Sequence, residues 1–92
     1  MIVRILGEGQ YDVADSALDR LNQFDAVVES AVGVGDQTAF EVALKDLLDC
    51  VRTVGVPHPV DAIDESDVIL PSADSSIDEV AEMLADDGLI PG

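Results

Sequence analysis

The chain has 92 residues, with four Lys and Arg against twenty Asp and Glu, and a formal net charge of −16. Such a charge repels nucleic-acid phosphates and anionic lipid headgroups, which argues against direct binding to either. We expect a single domain over residues 1–92, with an aliphatic core because only Tyr11, Phe24 and Phe40 are aromatic.

The cysteine count and the hydropathy pattern favour the cytoplasm. Cys50 is the only cysteine, so no intramolecular disulfide can form. No basic segment followed by an apolar stretch opens the sequence, and no run approaches the roughly 20 apolar residues that span a bilayer. We therefore expect a cytoplasmic protein with no direct membrane insertion.

The acidity has two explanations. The charges are scattered through the predicted helices and form no long run, which favours a surface kept hydrated in high salt. An acidic face for a basic protein partner is the alternative. The single lysine, Lys45, and the excess of Asp over Glu agree with either a salt-loving or a GC-rich source.

The first thirteen residues predict a β-hairpin. Residues 2–6 alternate as a half-buried strand does, and Gly7 and Gly9 allow the positive φ of a tight turn. Residues 10–13 form the returning strand. Arg4 is interpreted as an exposed charge that blunts a sheet edge. Gly7-Glu8-Gly9 lacks the third glycine and the following helix of a phosphate-binding loop.

A helical hairpin follows. The first helix is predicted over residues 15–32, and residues 33–35 break it. Its core face comprises Ala17, Leu21, Phe24, Val28, Ala31 and Val32. Asp36 is placed to cap the second helix, which Gly55 ends.

The second helix has a wide apolar arc of about 160°. It comprises Phe40, Ala43, Leu44, Leu47, Leu48, Cys50, Val51 and Val54. The opposite side carries Glu41, Lys45, Asp49 and Arg52, whose alternating signs predict a solvated face with weak mutual pairing.

The segment after Gly55 contains two prolines. Residues 56–59 (VPHP) predict a stiff connector, because proline lacks a backbone donor and restrains its predecessor. His58 is interpreted as a solvent-facing loop residue. The acids Asp61, Asp64, Glu65 and Asp67 lack the pattern of a calcium loop and are interpreted as turn residues.

The C-terminal third contains one short apolar run and one helix. Residues 68–70 form either a third strand or an extended edge. Ser76 and Glu79 predict a capping box before a narrow apolar stripe. That stripe comprises Ile77, Val80, Ala81 and Leu84. Gly88 is predicted to end this helix, with Leu89 and Ile90 folding back. The fold class is therefore α+β: an N-terminal β-hairpin, a central helical hairpin, a short extended segment or third strand, and a C-terminal helix.

No catalytic constellation is visible in the sequence. Catalysis needs a nucleophile beside a base, paired acids in distinct environments, or a metal cage. Cys50 falls within the apolar arc, which favours a small buried hydrophobe over a reactive thiol. We expect no enzyme activity, no metal and no cofactor.

Segments along almost the whole chain resemble one known family. They are Phe40 together with residues 2–12 (IVRILGEGQYD), 18–22 (LDRLN), 35–36 (GD), 51–52 (VR), 66–71 (SDVILP), 76–80 (SIDEV) and 88–92 (GLIPG). In their order and spacing they resemble the PspA-associated protein family (PspAA), small companions of the phage-shock protein PspA. The departures are conservative, such as Val60 and Ile63 in place of larger aliphatics, apart from the acidity. If partner docking in the family uses basic residues, the scarcity of Lys and Arg here puts that contact in doubt.

This resemblance implies a non-catalytic accessory of the envelope-stress response that binds a PspA-like helical protein. It also allows a peripheral position at the inner membrane face, reached through that partner. Glu41, Asp46 and Asp49 on the exposed side of the second helix are the candidate partner-binding residues. The alternative is a self-associating homodimer with a salt-adapted surface, in which Val27 and Val42, outside the main arcs, would be contacts. Ordinary exposed apolar surface is the favoured explanation of these two valines.

Overall fold

The computed structural model describes residues 1–59 and 66–84. The strands are β1 (Ile2–Ile5), β2 (Gly9–Asp12), β3 (Val56–Pro57) and β4 (Val68–Leu70). The helices are α1 (Leu18–Val34), α2 (Gln37–Val54) and α3 (Ile77–Met83), and a 3₁₀ turn (Asp15–Ala17) precedes α1. The α+β class and the order of elements predicted from the sequence are confirmed.

The four strands form one sheet in the order β3-β2-β1-β4. β1 and β2 are antiparallel, with Ile2 opposite Asp12 and Ile5 opposite Gly9, while β4 runs parallel to β1. β1 is thus an interior strand, so the interpretation of Arg4 as an edge charge is wrong. Of the two alternatives for residues 68–70, the strand is correct.

The segment predicted as a connector contains a short edge strand. Val56–Pro57 pairs with β2, with Tyr11 opposite Pro57 and Asp12 opposite Val56. A proline is tolerated there because an edge strand does not need every backbone donor. The predicted stiff, non-helical connector is correct in its extended conformation, and its first two residues additionally pair as a strand.

The turn of the β-hairpin depends on its two glycines. Gly7 has a φ of 82° and Gly9 a φ of 132°, both in the region that side-chain-bearing residues rarely adopt. The predicted role of these glycines is confirmed. The turn places Glu8 beside the C-terminal part of α2, within hydrogen-bonding distance of Arg52.

The helical hairpin differs from the prediction only at its junction. Gly33 lies inside α1, which continues to Val34 and ends at Gly35, whose φ is 72°. The side chain of Asp36 then accepts a hydrogen bond from the backbone N–H of Ala39 at 3.1 Å, as predicted for the cap of α2. With two residues between them, the helices pack side by side and antiparallel.

The core lies between one face of the sheet and the helices. Alternate residues Val3 and Ile5 of β1 are buried while Arg4 is exposed, and Val68 and Leu70 of β4 are buried while Ile69 is exposed. Of the apolar arc predicted for α2, every member is buried except Val54, which packs partly buried against the same cluster. The predicted arc is therefore confirmed.

The C-terminal helix follows its predicted start. The Oγ of Ser76 accepts a hydrogen bond from the backbone N–H of Glu79 at 3.2 Å. Val80 is buried and Ile77 is partly buried, but Ala81 is exposed, so its assignment to the apolar stripe is wrong. The predictions for Asp61, Asp64, Glu65, Gly88, Leu89 and Ile90 lie outside the described residues.

Candidate functional site

Two of the three candidate partner-binding residues line an open groove between α1 and α2. The groove has a volume of about 390 Å³. Its lining residues are Arg20, Phe24, Asp46, Asp49, Cys50, Thr53 and Val54. Phe24 comes from α1 and is half-buried, whereas Cys50 and Val54 come from the margin of the apolar arc of α2. The result is an apolar floor with acidic side chains on one rim and one arginine on the other.

Glu41 does not belong to this groove. It lies five residues before Asp46, which separates the two side chains by about 140° around the helix axis. Its carboxylate instead accepts a hydrogen bond from the side-chain amide of Gln37 at 3.2 Å, on the same helix. The three predicted acids thus occupy two flanks of α2, and only Asp46 and Asp49 are brought together.

Asp49 is one end of an ion-pair network that joins α2 to the β-hairpin. Arg52 donates from Nη1 to Asp49 at 2.8 Å. It also donates from Nε and Nη2 to the two carboxylate oxygens of Glu8 at 2.8 and 2.6 Å. The hydroxyl of Tyr11 donates to Glu8 at 2.7 Å. Arg52 therefore binds Glu8 in the bidentate geometry that a planar guanidinium favours.

The network shifts the titration of its members. Hydrogen bonds from Arg52, and then from Tyr11, lower the pKa of Glu8 from its ordinary 4.5 to about 2. The hydrogen bond to Glu8 raises the pKa of Tyr11, and the same carboxylate raises the pKa of Arg52. The predicted solvated face of α2 thus contains a specific contact between Arg52 and Glu8, 44 positions away. Asp49 on the same face pairs with Arg52, which Glu8 also binds.

Cys50 forms part of the groove floor and is only 8% exposed. Burial raises the pKa of its thiol, an effect that the nearby Arg20 guanidinium partly offsets. A raised pKa keeps the group protonated and weakly nucleophilic at neutral pH. The predicted burial of Cys50 is confirmed, and its chemistry suits packing.

His58 lies on the other side of the molecule, at the edge of the sheet. Its Nδ1 is 2.8 Å from the Oδ2 of Asp12, and its side chain is 11% exposed, so the interpretation as a solvent-facing loop residue is wrong. A second cavity of about 230 Å³ is lined by Arg4, Gly9, Gln10, His58 and Pro59. The pairing of β3 with β2 positions His58, which the sequence alone did not indicate.

Within residues 1–59 and 66–84, no group of three or more His, Cys, Asp or Glu side chains is placed to hold a metal ion. In that same part of the chain, no helix has the length and apolarity needed to cross a bilayer.

The family match extends over the whole chain, including the residues that line the groove. The model of the PspA-associated protein family, PspAA, matches residues 1–92. The chain belongs to the PspAA family. No curated protein and no solved structure is significantly similar to it.

Membership of the PspAA family gives the resembling segments a structural interpretation. Residues 2–12 are the whole β-hairpin, including the Glu8 that Arg52 holds. Residues 51–52 include Arg52 itself, and residues 66–71 contain β4. The family segments therefore include both ends of the contact that fixes the hairpin turn against α2.

Proposed function

We propose that this PspAA protein is a non-catalytic, cytoplasmic accessory of the PspA envelope-stress response that binds a PspA-like helical protein directly. The observation that carries the proposal is the family match over residues 1–92, because the family is named for its association with PspA. The formal charge of −16 and the acidic rim of the α1–α2 groove support recognition of a basic face on that partner. No cofactor or metal is required in this interaction.

The acidic side chains are expected to act together rather than singly. Asp46 and Asp49 are exposed, and exposed ion pairs each contribute only about 0–1 kcal/mol and are screened by salt. Complementary charge therefore affects mainly the association rate and the choice of partner. Glu41, on the other flank of α2, would contribute to partner binding by long-range electrostatic attraction and not by a direct contact in the groove.

The test is calorimetric titration of the PspA-like protein of the same cell with this chain at low salt. Changing Asp46 to Lys alone should alter affinity little, whereas changing Glu41, Asp46 and Asp49 together to Lys should weaken binding and flatten its salt dependence. The matched control changes Glu29, Asp74 and Glu82 to Lys, three exposed acids away from the groove with the same total change in charge. Equal weakening by both triple variants would show that only net charge matters.

A homodimer is the second candidate. Val27 is 54% exposed and Val42 is 56% exposed, which is the observation that favours it. Sedimentation equilibrium of the chain alone separates the candidates, because the accessory proposal needs no self-association. A stable dimer with no binding to the PspA-like protein would favour the homodimer instead.

A further inference from the structure

We propose that the groove between α1 and α2 receives one amphipathic helix of the partner, with apolar side chains along Phe24, Val27 and Val42 and basic side chains facing Asp46 and Asp49. The inference rests on the proposed function and deepens it, since it names the docking surface and the chemistry of the segment that binds there. Glu41 and the outer face of the sheet are outside this surface.

The apolar part of the surface extends beyond the groove itself. Val27 lies three residues after Phe24 on α1, and Val42 lies four residues before Asp46 on α2, so both continue the ridges that border the groove. Val34, which is 78% exposed, lies a further seven residues along α1 from Val27. At 1.5 Å per residue, the stripe from Phe24 to Val34 is about 15 Å long. That length accommodates roughly three turns of a partner helix.

The shape of the groove suits side-chain anchors of a helix. A volume of about 390 Å³ is at the small end of the range of ligand pockets, and its floor is formed by Phe24, Cys50 and Val54. Helices that bind in grooves insert apolar residues spaced three, four and seven positions apart. Two neighbouring antiparallel helices present such a groove along their length, and a third helix can pack there.

Charge decides between the possible occupants. A second copy of this chain would bring another Asp46 and Asp49 and another net charge of −16 against the same rim. Anionic lipid headgroups would meet the same repulsion. A helix with Lys or Arg beside its apolar stripe is complementary to Asp46, and also to Asp49, which such a side chain would share with Arg52. An acidic residue at one end of that helix would meet Arg20. The surface therefore fits a mainly basic amphipathic helix of another protein.

The experiment removes the apolar contacts without changing charge. The double variant Val27→Ser and Val42→Ser is titrated calorimetrically against the full-length PspA-like protein, with Val56→Ser as the control. Val56 is 65% exposed and lies in β3, and it is not among the residues that line the groove. Burying part of two valines predicts about tenfold weaker binding for the double variant. The heat-capacity change of binding should be smaller in magnitude for the double variant than for the parent. The affinity of the double variant should keep the salt dependence of the parent. Val56→Ser should bind as the parent does.

The outcomes are distinguishable. If the parent protein does not bind, the proposed function fails and this inference fails with it. If the parent binds and the double variant, with an unchanged melting temperature, binds equally well, the function stands and the groove is the wrong surface. A parent dimer in sedimentation equilibrium that the double variant dissociates would assign the groove to a second copy, which also overturns the inference.

Discussion

The substitution Phe40→Ala tests the packing of α2 most severely. Phe40 is 0% exposed and is the largest of the fully buried side chains. Its truncation removes the transfer free energy of a buried ring and leaves a cavity, which together cost about 3–5 kcal/mol. Total stabilities of domains are about 5–15 kcal/mol, so most of the stability of a chain this short would be lost.

Urea denaturation measures this loss. For a small domain, a slope of about 1–1.5 kcal/mol per molar urea converts 3–5 kcal/mol into a midpoint shift of about 2–5 M. Phe40→Leu is the matched control, because it keeps most of the buried volume and should cost less than about 1.5 kcal/mol. A loss below about 1 kcal/mol for Phe40→Ala would refute the packing of α2 against the core.

Three further predictions concern the network, the net charge and one glycine. Glu8→Gln should cost about 0.5–1 kcal/mol at pH 7, because the ion pair with Arg52 is one-third exposed. The pKa of Glu8 is about 2 in the folded protein against an ordinary 4.5, so protonation at low pH removes the stabilising ion pair. The difference in unfolding free energy between the parent and Glu8→Gln should therefore disappear as the pH falls from about 5 to about 2. Urea titrations that give the same difference at every pH would contradict this prediction. The melting temperature should rise between about 0.05 and 1 M NaCl, because salt screens the self-repulsion of a chain with charge −16; a flat or falling curve in calorimetric scans would show that local packing dominates. Gly55→Ala should destabilise the protein by about 1–3 kcal/mol in urea, because its Cβ would lie 2.7 Å from the carbonyl oxygen of Val51 and 3.1 Å from the Cβ of Tyr11 in β2. An unchanged midpoint would be inconsistent with the close approach of the end of α2 to β2.

The helices could be predicted well because their signals are local. The spacing of apolar residues identified the buried arc of α2, and Asp36 and Gly35 marked the ends that the structure shows. Gly33 was misjudged because a glycine inside a helix costs only about 1 kcal/mol, which tertiary packing easily overcomes. Local patterns report which face of an element is apolar, and that information was correct for both long helices.

The strand arrangement and the network could not be predicted, because both depend on contacts distant in sequence. Whether Arg4 lies at an edge depends on β4, more than sixty positions later. Val56–Pro57 is too short to show any alternation and is a strand only because β2 lies beside it. Arg52 contacts Glu8 across 44 positions. The burial of Asp25 on α1, 3% exposed, likewise has no signal in the helical pattern, which would place a charge outside.

Helical periodicity predicted that Asp46 and Asp49 are exposed on α2, and their role in partner binding stays a prediction. The groove beside them requires Phe24 and Arg20 from α1, and helical periodicity does not indicate which residues of two helices face each other across a gap. Helical periodicity within α2 alone places Glu41 about 140° from Asp46, so the grouping of Glu41 with the other flank was an error of the sequence prediction.

Direct binding to the PspA-like protein is the central claim, and calorimetric titration of that protein with this chain at low salt, both folded, tests it most directly. We expect a complex that forms without added metal or cofactor and that weakens as salt increases. No detectable complex under those conditions would contradict it.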